Sequence, residues 1–168
     1  MRDDATPERM RSTLVLRAER PADDELLLSL YASTREAELN LTGWDAATRA
    51  QFVRHQFDAM RRGYAEAFPQ AQFAIVEWKG RGVGRLVLDR FPGEFRIVDL
   101  VLLPDCRGQG LGTALVQQVL EEARQKRCVV RLHVFRGPHS VWPFYERLGF
   151  SKVTEDGPYD LLEWQPPA

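Results

Sequence analysis

Hydrophobic positions along the chain follow two periods, and the switch between them marks out the elements. Short apolar or alternating runs bounded by glycine, proline or charge predict strands over residues 13–17, 73–78, 83–89, 95–103, 129–135, 150–154 and 160–164. Repeats at three and four positions predict helices between them. The first opens at Pro21 with Asp23, Asp24 and Glu25 in its opening turn and places Leu26, Leu27, Leu30 and Tyr31 on one face. The second runs from about Asp45 to about Ala67, ahead of Pro69, with Phe52, Val53, Phe57 and Met60 spaced for burial. In the third, Leu111, Leu115 and Val119 recur beside Val116, Leu120 and Ala123, while Gln117, Gln118, Glu121, Glu122 and Gln125 take the opposite face. The fourth spans 140–148 with a stripe of Val141, Phe144, Tyr145 and Leu148. Pro143 falls in its first turn, where a missing N–H loses no partner, and Gly149 stands where a helix-ending glycine belongs.

Gly80-Arg81-Gly82 and Pro92-Gly93 punctuate residues 73–103 as turns, so three successive strands read as an antiparallel meander. No internal repeat or low-complexity segment interrupts the order. The expected organisation is a tail over 1–12, polar and carrying Pro7, followed by one domain over 13–168.

Composition narrows the function classes. At 168 residues, 44% hydrophobic and net charge −1, the chain can bury a sizeable core. It has no basic block and no interleaving of aromatic with basic residues, so nucleic acid is not an expected partner. No apolar run approaches the ~20 residues of a membrane span, and residues 1–4 lack a signal-peptide core, so no membrane association and a cytoplasmic location are expected. Cys106 and Cys128 are too few for a disulfide framework or a zinc site, and no metal is expected. Cys106 adjoins a glycine-rich stretch, yet no base is placed to activate it, and it reads as a small apolar filler.

That stretch carries the chemistry. Cys106-Arg107-Gly108-Gln109-Gly110-Leu111-Gly112-Thr113 leads from the strand stopped by Pro104 directly into the third helix. Glycines let backbone approach a ligand, and the free N–H groups at the positive end of the new helix favour an anion. No Asp or Glu lies between Arg107 and Glu121, so no side-chain carboxylate complements the dipole. The stretch reads as a phosphate cradle, with a plain glycine turn as the alternative. A dinucleotide fingerprint is excluded because Thr113 or Leu115 stands where its last glycine belongs, and a Walker A loop because no Gly-Lys-Ser/Thr follows.

Arg107, Gly110 and Gly112 do fit Arg-x-x-Gly-x-Gly, and Phe144-Tyr145-Glu146-Arg147-Leu148-Gly149-Phe150 fits an F/L-Y-x-x-x-G-F segment. With both motifs in this order, the chain resembles the Gcn5-related N-acetyltransferase superfamily over nearly its whole length. The resemblance implies a mixed α/β (α+β) fold: a central, mostly antiparallel mixed sheet of about six to seven strands with about four helices. It implies acetyl-CoA as acyl donor without a metal, and transfer of acetyl to a primary amine of a small molecule or amino acid by direct attack in a ternary complex. A protein N-terminal or lysine acetyltransferase and a non-catalytic acyl-CoA-binding module are the alternatives. Relatives often pair through late strands, and the aromatic last strand ending at Trp164 is compatible with a homodimer.

The site residues follow from the same motifs. Resemblance places pyrophosphate on Arg107, Gly108, Gln109, Gly110, Leu111, Gly112 and Thr113, and the pantetheine arm beside Val101, Leu102 and Leu103, with backbone N–H near Leu102 as donor to the developing oxyanion. Tyr145 is the expected proton donor to the leaving thiolate; a core tyrosine is the alternative. For the general base, Asp99 stands among apolar residues and strict alternation gives it the face of Ile97, Val101 and Leu103. Its alternative is a structural carboxylate paired with Arg96, Arg131 or a helix end. Glu94, after Pro92-Gly93, is the second candidate base, and His133 could feed a water relay. Tyr31, Arg35, Glu36, Glu38 and Trp44 form the candidate acceptor region, against the plainer reading of a solvated helix end and a core tryptophan. One departure stands out: where many relatives carry an asparagine before the tyrosine helix, this chain has Gly137-Pro138-His139-Ser140-Val141, leaving His139 or Ser140 to replace its hydrogen bond.

Overall fold

The structure is a computed structural model that describes residues 14–168; the expected tail over 1–12 and the start of the first strand at Thr13 lie outside the described residues. The chain runs β1 (Leu14–Ala18), a 3-10 turn (Pro21–Asp23), α1 (Asp24–Leu39), α2 (Ala46–Ala67), β2 (Gln72–Trp78), β3 (Arg81–Phe91) and β4 (Glu94–Leu102). A second 3-10 turn (Pro104–Cys106) leads to α3 (Leu111–Lys126), β5 (Val129–Phe135), α4 (Trp142–Arg147), β6 (Ser151–Asp156) and β7 (Tyr159–Trp164). Every expected element is present. The largest difference is in β3, eleven residues long rather than seven; α4 is six residues long rather than nine, with Ser140 Oγ just ahead of it accepting the Trp142 N–H at 3.2 Å.

The strands form one seven-stranded sheet in the order β1-β2-β3-β4-β5-β7-β6, antiparallel except between β4 and β5. A parallel neighbour cannot be reached by a hairpin, and α3 provides the crossover. Its apolar stripe, Leu111, Leu115, Val116, Val119 and Ala123, packs with Leu86, Leu88, Phe95, Ile97, Val130 and Leu132 on one face of the sheet. On the other face, Leu27 and Leu30 of α1 and Phe57 of α2 bury against Ile75. Burying each such side chain contributes roughly 1.5–3 kcal/mol.

Two irregularities of β4 create the site. The first is a bulge: Leu88 is paired with Ile97 but Val87 with Asp99, so Val98 has no partner opposite it. Directly opposed residues share a face, and the extra residue flips the alternation. Phe95 and Ile97 face α3, and beyond the bulge that face passes to Leu100 and Leu102, while Asp99 and Val101 turn to the α1–α2 face. Asp99 therefore shares a face with Val101, as strict alternation expects, but not with Ile97. The second irregularity is a parting of strands. β4 and β5 are paired only at Glu94–Val129, Phe95–Val130 and Arg96–Arg131; β5 then follows β7 to Phe135 while β4 stays with β3 to Leu102. The end of β4 is left with a free edge on a cleft.

Candidate active site

Leu103 closes β4 by donating its N–H to Val83 O at 2.8 Å, which by alternation turns the N–H and C=O of Leu102 toward the cleft. The loop that follows is shaped by Gly108 (φ 70°) and Gly110 (φ 84°), both in left-handed conformations that L side chains rarely adopt. No backbone N–H from Gly108 to Thr113 donates to another described residue; the first that does is that of Ala114, to Gly110 O at 3.0 Å. α3 has no side-chain cap and no acid in its first turn. Six successive N–H groups at the positive end of a sixteen-residue helix are thus unspent, which is the arrangement that binds anions.

Gly108, Gly110, Gly112 and Thr113 of this run line a cavity of about 710 Å³ between the loop, the free edge of β4 and α4, with Tyr145, Phe144, Arg107, Arg147 and His139 also on its wall. Of the two residues that could replace the missing asparagine, His139 lines the cavity, whereas Ser140 does not and its Oγ accepts the Trp142 N–H. Arg147 is a cation here that the motif reading passed over as one of its variable positions. Arg107 reaches across the end of β4, its Nε donating to Leu102 O at 2.9 Å and its Nη2 to Ser33 Oγ of α1 at 3.0 Å.

Tyr145 is buried, its ring edge-on to Phe144 (4.9 Å between centroids) and Phe150 (5.4 Å). Desolvation pushes its phenol well above the ordinary value, and the charge of Asp99 adds to the rise, so the hydroxyl stays protonated at any physiological pH. Asp99 itself lines neither cavity, although Leu100 and Val101 next to it line the first, and it lies with Arg85 and Glu19: the Arg85 guanidinium is 3.8 Å from the Asp99 carboxylate and donates Nε–H to Glu19 at 2.7 Å. Burial pushes the Asp99 carboxyl up to about 6; Arg85 opposes this and Glu19 adds to it. The partner is therefore Arg85, not Arg96, Arg131 or a helix end. Arg85, itself fully buried and lying over the Tyr64 and Phe73 rings, was missed in the sequence, although an arginine inside an apolar strand was the signal.

Two candidates fall elsewhere. Glu94 sits at the opposite end of β4, with Arg96 on one carboxylate oxygen at 2.8 Å and Arg131 on the other at 2.7 Å, and does not reach the cavity. His133 projects from β5 to Asp156 of β6, Nε2 to Oδ2 3.2 Å, because β5 has turned away with β7. Cys106 is buried, and burial followed by the neighbouring Asp105 carboxylate raises its thiol, as suits a filler.

A second cavity, about 560 Å³, lies between α1, α2 and Leu103-Pro104, and shares Ser33 with the first. Of the expected acceptor residues, Glu36 lines it. Tyr31 instead packs on Phe57 at 5.8 Å, Arg35 pairs with Glu38 at 2.9 Å, and Trp44 lies edge-on to Phe52 at 5.2 Å, half exposed. None of these four borders either cavity. Arg49 of α2 does, and no local pattern marks it, since it reaches the cavity through helix–helix packing.

A fold of this topology, with a glycine loop of unspent N–H groups at a splayed parallel pair, defines a class, and comparison with known proteins names it. Residues 38–150 match the model of the Acetyltransferase (GNAT) family, and the chain belongs to that family. It is 30% identical over 84 residues to the thialysine N-epsilon-acetyltransferase of Bos taurus, a match spanning 49% of this chain and 42% of that protein. Among solved structures, PaiA N-acetyltransferase of Thermoplasma acidophilum, in complex with coenzyme A, superposes with a TM-score of 0.68 at 16% identity, over 91% of this chain and 99% of that one. Ard1 of Thermoplasma volcanium does so with a TM-score of 0.59 at 21% identity, over 93% and 99%. At these identities the two structures establish the fold.

Proposed function

We propose that the protein is an acetyl-CoA-dependent N-acetyltransferase acting on the primary amine of a small molecule. The observation that carries this reading is that Gly108, Gly110, Gly112 and Thr113 of the unspent N–H run, the free edge of β4 and Tyr145 border one cavity. The cofactor fits the residues present: six N–H donors with Arg107 and Arg147 suit a diphosphate, and the β4 edge suits an amide-bearing arm.

Bound acetyl-CoA supplies the activated acetyl thioester. Asp99, raised toward neutrality yet ionised at pH 7 and adjoining the wall residues Leu100 and Val101, takes through intervening water the proton that an arriving ammonium must lose. The Leu102 N–H, turned into the cleft, is the donor for the carbonyl oxygen that gains charge. Tyr145, whose raised pKa makes it a reluctant acid but a permanent donor, offers its O–H to the leaving sulfur. A phenol near its ordinary value of about 10 would hand over its proton more readily, so hydrogen-bond donation is the larger part of its work here.

A small acceptor is favoured over a protein because the adjoining cavity, open to solvent at Ser29, Glu36 and Ala50, is walled by two helices and lies within the ~300–1,000 Å³ of small-molecule sites. The Bos taurus relative, whose name places acetyl on the ε-nitrogen of thialysine, points the same way. Acetylation of a panel of free amines tests the reading. Tyr145→Phe, with no hydrogen bond from its hydroxyl to another described residue to lose, should lower kcat at least tenfold at unchanged acetyl-CoA affinity. Turnover equal to the wild type removes Tyr145 from the chemistry, and acetylation of peptides but not free amines removes the small-molecule reading.

A further inference from the structure

The second cavity has a charge pattern that the proposed chemistry does not use. Along α1, Ser29, Ala32, Ser33 and Glu36 recur at three- and four-residue spacing and so present one face. α2 opposes them with Arg49, Ala50 and Val53. The small side chains at 29, 32, 33 and 50 leave the room, and Leu28, Leu39, Val53 and Leu103 make most of the wall apolar. Among the described residues, Glu36 and Arg49 are its only charged ones. The Glu36 carboxylate makes no ion pair or hydrogen bond with any described residue, whereas its neighbour Glu38 is taken by Arg35. Arg49 is steadied by one bond, Nη2 to Asn40 Oδ1 at 2.8 Å, and keeps its other N–H donors.

An unpaired carboxylate and a steadied guanidinium on facing helices are complementary to a zwitterion: an ammonium for Glu36 and a carboxylate for Arg49. The ammonium held by Glu36 cannot be the one that reacts, because Glu36 borders only the second cavity, while Tyr145 and Leu102, where the acetyl group would sit, border the first, across Ser33. Resting on the acetyltransferase reading, we propose that the acceptor is a free diamino acid whose α-amino and α-carboxylate groups are held by Glu36 and Arg49. Its aliphatic stem lies along Leu103 and passes Ser33, where the two cavities meet, and its side-chain amine is acetylated. The transfer forms the amide C–N bond and breaks the thioester C–S bond. Of the two protons the side-chain ammonium loses, one goes to Asp99 and on to solvent, and the other ends on sulfur, so coenzyme A leaves as the thiol.

The test compares L-lysine with 1,5-diaminopentane, which keeps both amines and the stem but lacks the carboxylate. Wild type should favour L-lysine at least tenfold in kcat/KM, the size of one charge-assisted hydrogen bond, and Arg49→Gln should shrink that ratio by a similar factor. Glu36→Gln should raise KM for L-lysine more than for Nα-acetyl-L-lysine, whose α-nitrogen carries no charge. Equal use of L-lysine and 1,5-diaminopentane by the wild type overturns the diamino-acid assignment while leaving acetyl transfer standing. Should no amine be acetylated, calorimetric titration of L-lysine decides independently of turnover: binding lost in Arg49→Gln upholds the site, and no binding to the wild type overturns it. The acetyltransferase reading falls separately, on failure to bind acetyl-CoA.

Discussion

Arg85 and Asp99 face one another across β3 and β4, guanidinium to carboxylate 3.8 Å apart, on the face of the sheet opposite α3. Arg85 is fixed from its other side by Glu19 at 2.7 Å, so one buried cation is shared by two carboxylates and neither holds it outright. Burial therefore outweighs Arg85, with Glu19 adding to the rise, and the Asp99 carboxyl stands at about 6 rather than below the ordinary value. A base must be deprotonated to act, so kcat/KM should rise with pH through about 6 and level off above it. Arg85→Met removes the group that lowers this pKa, and the acid limb should move to higher pH; a limb that stays in place excludes Asp99 as the titrating base.

The same shift sets a sign for stability. A carboxyl raised by the fold costs nothing below its unfolded pKa of about 3.9 and its full cost above the folded value of about 6. Thermal midpoints of Asp99→Asn relative to wild type should therefore be more favourable at pH 8 than at pH 4. The reverse order contradicts the burial of Asp99.

Asp23 behaves in the opposite way. Hydrogen bonds from Arg17, at 2.7 and 2.8 Å, hold it down to about 2, helped by the Arg20 N–H at 2.8 Å. The stability it contributes is fully present above about pH 4 and lost as pH falls toward 2. Asp23→Asn should lower the thermal midpoint at pH 7 and remove part of the wild type's acid sensitivity below pH 4, measured by melting across pH 2–7.

Gly84 of β3 is needed for space. A Cβ there would stand 2.6 Å from Val101 O and 2.6 Å from Leu102 Cδ2, so any side chain pushes the end of β4 away. Gly84→Ala should destabilise by roughly 1–3 kcal/mol, the usual cost of overpacking, and raise KM for acetyl-CoA through the displaced edge. Denaturant melts and steady-state kinetics check both, and an unchanged KM would show that the β4 edge does not meet the cofactor.

What the sequence showed and what it concealed divide along the range of the interactions. The glycine loop, the stop at Pro104, Pro143 inside the first turn of α4 and the turn at Gly93 are local devices, and each stands where the residue pattern puts it. The face of Asp99 was misread because the bulge at Val98 leaves no mark in a run of apolar residues; it arises from pairing with β3. Arg49, Arg85 and Glu19 reach the cavities or Asp99 through contacts between distant segments, which no periodicity reports. Among the expected acceptor residues, Arg35 and Glu38 satisfy one another within a single turn of helix, whereas Glu36 between them does not.

The claim on which the rest depends is that residues 108–113 bind the phosphates of acetyl-CoA. Gly112→Glu isolates it: a Cβ at 112 meets the Phe144 ring at 3.5 Å, an ordinary contact, and a carboxylate in the first turn of α3 suits the helix while repelling phosphate. Gly110, at φ 84°, would be strained by the same change. Calorimetric titration with acetyl-CoA should give one site on the wild type and at least tenfold weaker binding to a Gly112→Glu variant that melts like the parent. No binding to the wild type, or equal binding to the variant, contradicts the assignment of this loop.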